Sequence, residues 1–99
     1  MEKINFKFND EAGLHARPAG NLVKIASKFE SSILIKKNGN YASAKGLFGV
    51  MGLSVRKGDN VEIEIEGDDE NQAKKSIEEF LKENSAEILT ETSEEIQTK

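Results

Sequence analysis

Val61, Ile63 and Ile65 alternate with Glu62, Glu64 and Glu66. That strict period of two constrains the fold more than any other stretch of the chain. It describes a strand with one face buried and the other in water. A sheet built from such strands has one dry side, which another layer of structure must cover. Ile4, Phe6 and Phe8, alternating with Asn5 and Lys7, read as a second strand of this kind. Ser32–Lys37 is rich in branched residues and reads as a third. Asn38-Gly39 follows it, a pair that tolerates positive φ and signals a hairpin. Asn40–Ser43 then returns as a short polar strand suited to a sheet edge.

The covering layer is written at helical spacing. Ala19, Leu22, Val23, Ala26 and Phe29 predict a helix over roughly residues 16–28. Ala73, Ile77, Phe80 and Leu81 predict another over 70–83, opened by Gly67-Asp68-Asp69 with Asp69 and Gln72 as a capping box. Between them, Lys45–Leu53 carries Gly46, Gly49 and Gly52 among five large apolar residues. Each glycine costs a helix roughly 1 kcal/mol relative to alanine, so a short helix here must be held by its contacts. Five apolar side chains cannot all face one core. Val50 and Leu53 are assigned inside, and Leu47, Phe48 and Met51 form a candidate exposed patch. The element order β-α-β-β-α-β-α predicts an α+β fold with helices on one face of an antiparallel sheet.

Ninety-nine residues make one domain. The absence of cysteine removes disulfides and thiolate metal sites. A single histidine disfavours zinc, and no metal site is assigned. The N-terminus alternates polar and apolar residues without a signal core, and no stretch approaches a membrane span, so a cytoplasmic protein without membrane insertion is expected. The net charge of −4 disfavours nucleic acid as a partner. Residues 85–99 hold four glutamates (87, 91, 94 and 95) against Lys99, a net of −3. The acidity therefore belongs to a C-terminal extension, expected to be a mobile or weakly helical appendage to a domain of residues 1–84.

The only histidine and the only proline lie together in Gly13-Leu14-His15-Ala16-Arg17-Pro18-Ala19. Glycine allows a tight backbone approach, and proline suits the first turn of a helix. The stretch reads as a loop passing into a helix with His15 at the junction. Helix-start N–H groups and the positive end of the dipole favour an anion there. The Arg17 guanidinium matches phosphate oxygens in shape and charge. A nucleophilic imidazole beside a phosphate site points to a histidine that is itself phosphorylated.

This seven-residue stretch resembles the active-site signature of HPr, the histidine-containing phosphocarrier of the bacterial sugar phosphotransferase system. The similarity runs from about Lys3 to Glu83 and includes Lys45-Gly46-Leu47-Phe48-Gly49-Val50-Met51. The resemblance implies an open-faced sandwich, with four strands in the order 1-4-2-3 and three helices on one side. It implies that enzyme I, charged from phosphoenolpyruvate, phosphorylates Nδ1 of His15, and that a sugar-specific enzyme IIA removes the group. Ala16 and Arg17 would hold the phosphate. Leu47, Phe48 and Met51 would dock both partners, with Lys24, Lys28 and Lys45 at the rim. A monomeric carrier with no cofactor, in place of a stand-alone enzyme, is expected. Many Gram-positive members carry a regulatory serine where this chain has Gly46, which has no hydroxyl to modify; Ser43 and Ser54 are the nearest hydroxyls. Two other classes compete. One is an HPr-like regulatory module acting through protein contacts; the other is a small enzyme using His15 as a general base, for which no second catalytic group is evident.

Overall fold

Eight elements follow one another: β1 (Glu2–Phe8), α1 (Ala16–Ala26), β2 (Ser32–Lys37), β3 (Asn40–Ser43), α2 (Leu47–Gly52), β4 (Asn60–Glu66), α3 (Glu70–Glu83) and β5 (Ala86–Ile88). The computed structural model describes residues 1–84 and 86–89. The strands form one antiparallel sheet in the order β3-β2-β4-β1-β5. Its first four strands have the expected 1-4-2-3 order, and the fold is the expected open-faced α+β sandwich with one strand added.

β4 is the middle strand of the five. Ile63 faces Ile4 of β1 and Ile35 of β2, and Ile65 faces Ile33. These side chains join Phe6, Phe8 and Val61 beneath Ala19, Leu22 and Ala26 of α1, Val50 of α2, and Ala73, Ile77, Phe80 and Leu81 of α3 in one buried cluster. Burying all three helices on the same sheet face is the main apolar gain of the fold. On the opposite face, Lys3 opposes Glu64 in register. Lys36 Nζ lies 2.8 Å from Glu64, and Lys3 reaches Glu62 and Glu64 at 3.7 and 3.9 Å. The acidic face of β4 is thus neutralised by lysines of its neighbours, a cross-strand pairing that favours this register.

Both N-terminal helices are shorter than their apolar spacing suggests. α1 ends at Ala26 because Lys28 and Phe29 donate their N–H groups three residues back, to Ile25 and Ala26, and the chain leaves the helix. α2 is confined to Leu47–Gly52 by the same tightening, with Leu53 bonded to Val50 and Ser54 to Met51. Leu53, expected inside with Val50, is only half-buried.

Residues 86–88 of the extension, expected to be mobile or weakly helical, form a strand instead. Asn84 closes α3, its side-chain amide donating to the Phe80 carbonyl at 2.8 Å. The chain then reverses, and Ala86–Ile88 pairs antiparallel with Phe6–Phe8. The Leu89 N–H extends the ladder to the Asn5 carbonyl at 2.6 Å. An edge of β1 would otherwise leave backbone groups open, and Ala86 and Ile88 also pack against the core. The rest of the expected extension, Ser85 and residues 90–99, lies outside the described residues.

The capping box is also replaced. Asp69 stands at the N-cap of α3 but makes no cap bond with its side chain. Its carboxylate crosses instead to the start of β2, accepting the N–H of Glu30 at 2.9 Å, the N–H of Ser31 at 3.0 Å, and the Ser31 hydroxyl. Glu70, not Gln72, reaches back, accepting the Gly67 N–H at 3.1 Å. Gly67 has φ +153°, and a Cβ there would lie 2.6 Å from Ser31 Oγ, so only glycine permits this approach. The Ser31 hydroxyl and the Glu30 N–H hold the Asp69 carboxyl below its ordinary 3.8, against the opposing effect of burial. A lowered folded-state value means that the stabilisation is complete above the unfolded value and is lost as pH falls through the folded one. Asp69→Asn should therefore destabilise the protein at neutral pH and flatten its loss of stability in acid. Urea melts from neutrality to about pH 2 measure both effects; parallel curves for the two proteins would refute the role given to Asp69.

Candidate functional site

The loop between β1 and α1 is built from within. Asp10 Oδ1 accepts the Ala12 N–H at 2.8 Å, and the Asp10 carbonyl accepts the Gly13 N–H at 2.9 Å, folding residues 10–13 into a tight turn. Gly13 adopts φ +71°, and a Cβ there would come within 2.5 Å of the Val55 carbonyl oxygen. That closeness lets the next residue, buried Leu14, donate its N–H to the same oxygen at 2.9 Å. His15 is thereby delivered, extended and exposed, to the N-cap of α1.

The helix start is left open. His15 makes no side-chain capping bond, and the first turn of α1 contains no acidic residue. The first intrahelical bond runs from the Ala19 N–H to the His15 carbonyl at 2.9 Å. Pro18 has no N–H, so the donors this turn presents outward are those of Ala16 and Arg17. Ala16 and Arg17 are exposed, whereas Pro18, Ala19 and Leu22 are buried and anchor the turn to the core. The result is an imidazole, two free N–H groups, the positive end of an eleven-residue helix and a guanidinium in consecutive residues. This arrangement can hold a tetrahedral anion against the imidazole.

α2 packs against α1. On it, Phe48 is 89 % exposed, Leu47 36 % and Met51 38 %, while Val50 is buried. Lys24 and Lys28 are exposed. Lys45 is half-buried, and its Nζ donates to the Phe29 carbonyl at 2.7 Å, so it ties the turn after α1 to the residues that precede α2. A groove on the uncovered sheet face, lined by Lys36, Tyr41, Asn60 and Glu62, contains neither His15 nor Arg17.

Sequence reading missed the segment that supports the His15 loop. Besides the Leu14–Val55 bond, Gly58 donates to the Phe8 carbonyl at 2.8 Å, and Lys57 pairs with Glu11 at 3.0 Å. Val55 is buried at 4 % exposure. No periodicity marks this segment, and the only trace of it in the sequence is the need for glycine at position 13.

A family model described as the PTS HPr component phosphorylation site matches residues 3–83, and the chain belongs to this HPr family, the phosphocarriers of the phosphotransferase system. The histidine-containing phosphocarrier protein of Mycoplasma is 34 % identical, with a TM-score of 0.82 over 85 % of this chain and 96 % of that one. An HPr of Thermoanaerobacter tengcongensis is 37 % identical, with a TM-score of 0.81 over 85 % of this chain and 94 % of its own. Crh of Bacillus subtilis, a catabolite repression protein seen as a swapped dimer, is 33 % identical, with a TM-score of 0.67 over 76 % of this chain and 86 % of its own.

The contact between Gly13 and Val55 yields a direct expectation. Gly13→Ala forces a Cβ against the Val55 carbonyl in a left-handed conformation, and should cost about 1–3 kcal/mol of stability. Urea denaturation, with the Leu14 amide shift as a local reporter, measures it; an unperturbed Leu14 amide would show that the loop does not depend on this contact.

Proposed function

We propose that the protein carries a phosphoryl group on Nδ1 of His15, receiving it from enzyme I and passing it to sugar-specific enzyme IIA domains. The observation that supports this best is the helix start itself. It offers two outward N–H donors and Arg17 beside an exposed imidazole, with no side-chain cap or acid in the first turn to occupy them. The Nδ1 lone pair forms the N–P bond as phosphorus leaves its nitrogen on enzyme I, whose bonding pair stays with that nitrogen. Charge on the three equatorial oxygens is met by the Ala16 and Arg17 N–H groups and the guanidinium. The site is exposed, so the next protein can reach the phosphorus from the same side. In this reading the carrier is a cytoplasmic monomer that uses no cofactor of its own.

Leu47, Phe48 and Met51 form the docking patch in this reading, with Lys24, Lys28 and Lys45 guiding acidic partners to it. A small apolar surface with a basic rim suits fast, transient encounters. Gly46 precludes serine phosphorylation at the start of α2, so this patch is free of that control. The similarity to Crh favours a second reading, a regulatory module that acts through contacts alone. Incubation with enzyme I and labelled phosphoenolpyruvate separates the two, because only a carrier is labelled stoichiometrically and passes the label on.

His15→Ala should abolish labelling while changing stability by no more than about 0.5 kcal/mol, as expected for an exposed side chain. The wild-type label should be acid-labile and alkali-stable, as a phosphoramidate is. Arg17→Ala should slow transfer about a hundredfold without abolishing it. Undiminished labelling of the His15 variant would refute the carrier reading.

Phe48→Ala should weaken enzyme I binding about tenfold and leave the melting temperature nearly unchanged. Val50→Ala, one turn face away and buried, should instead lose about 2 kcal/mol of stability. Titration calorimetry and thermal melts distinguish the two, and a Phe48 variant that binds as wild type would remove α2 from the docking surface.

A further inference from the structure

Lys37 is the last residue of β2, and its side chain is only 14 % exposed. Its ammonium group has three acceptors: the Leu53 carbonyl at 3.2 Å, the Ser54 carbonyl at 2.7 Å and the Asp59 carboxylate at 3.0 Å. Three acceptors match the three N–H groups of an ammonium. The two carbonyls lie where α2 ends, at the terminus where backbone oxygens lack intrahelical donors and a cation is favoured. Ser54 sits at φ +53°, a left-handed conformation that a side chain adopts at a cost and that needs outside support.

The segment held in this way is bonded directly to the His15 loop. Val55, next in the chain, gives its carbonyl to Leu14, the neighbour of His15. On the far side of Val55, Asp59 accepts the Arg56 N–H at 2.8 Å and the salt bridge from Lys37, so the clamp grips both flanks of the residue that supports the loop. The Arg56 N–H and the Lys37 ammonium also hold the Asp59 carboxyl below its ordinary range, which keeps it charged for this task. Lys37 touches neither His15 nor the exposed face of α2. Its ammonium contacts fall on Leu53, Ser54 and Asp59, which flank the one residue, Val55, that bonds the chain after α2 to the histidine loop.

We propose that Lys37 is a positioning residue for phosphoryl transfer, fixing the Leu53–Arg56 segment so that the Val55 carbonyl holds the His15 loop in register with α2. The proposal rests on the carrier reading for its kinetic half and on geometry alone for its structural half. Without the ammonium, the left-handed turn at Ser54 relaxes, the Val55 carbonyl moves, and Leu14 loses its acceptor. A small displacement of a reacting group is enough to slow transfer.

The test compares Lys37→Met, Lys37→Met/Ser54→Gly and Asp59→Asn with the wild type. Amide hydrogen exchange is read at Leu14 in the loop and at Ile63 in the central strand, and transfer from enzyme I is measured in parallel. In Lys37→Met, exchange at Leu14 should rise about tenfold, the factor expected from losing a charged hydrogen-bond donor, with Ile63 unchanged. kcat should fall about tenfold, and the KM for enzyme I should move less because the α2 patch stays in place. Glycine adopts the left-handed turn freely, so Ser54→Gly in the same chain should restore most of both losses. Asp59→Asn removes only the salt bridge and should shift Leu14 exchange in the same direction, which decides the matter if the Lys37 variant does not fold. Equal increases at Leu14 and Ile63 would reduce Lys37 to a general stabiliser and overturn the proposal, as would unchanged Leu14 exchange. Failure of the wild type to accept label would sink the carrier reading and the kinetic half together, while the exchange data would still decide the structural half.

Discussion

A helix cannot satisfy the N–H groups of its own first turn, and in α1 neither the N-cap side chain nor an acid takes up that duty. His15 occupies the capping position without capping, and Pro18 removes one donor that would otherwise need a partner. The open end is tolerable because the residues immediately behind it are anchored. Pro18, Ala19 and Leu22 are buried against the sheet, so the turn cannot fray to satisfy its donors in other ways. The apolar face shared by β1, β4 and β2 is therefore what keeps this helix start formed while its donors stay open. The exposed helix start is held by packing underneath.

The parts of this fold that follow from local periodicity were legible in the sequence. β2, β3 and α3 appear at the expected residues, and the Asn38-Gly39 hairpin has positive φ at both positions. The candidate site was legible because its members are contiguous: one loop-to-helix junction contains the imidazole, the free donors and the guanidinium. The support for the site was not, because it is non-local. Val55, Lys37 and Asp59 lie far from His15 in sequence, and nothing about their spacing marks them. Asp69 shows how a local rule can mislead. The residue pattern fits a capping box, but the carboxylate gains more from three donors across the fold at Glu30 and Ser31 than from its own helix. β5 escaped notice for a related reason: three residues are too few for periodicity, and their pairing depends on an edge that exists only once β1 is in place.

α2 combines weak intrinsic helicity with a firm position. Only Val50 among its side chains is buried, and three of its six residues are exposed apolar groups. Such a helix keeps its place through the buried Val50 and through its C-terminal end, where Lys37 takes the carbonyls of Leu53 and Ser54. Its exposed face is thus relieved of structural duty. Large apolar side chains can be displayed there without being drawn into the core.

β5 changes what the sheet offers to other chains. With it in place, β1 is bonded on both sides, to β4 and to β5. Among the described residues the rims of the sheet are then β3, four residues long and mostly polar, and β5, three residues long with Glu87 exposed. Short rims carrying polar or charged groups are poor templates for strand-by-strand polymerisation. A sheet whose rims give other copies of the chain little to pair with is protected against aggregation. The few residues that follow α3 give the sheet that colloidal safeguard.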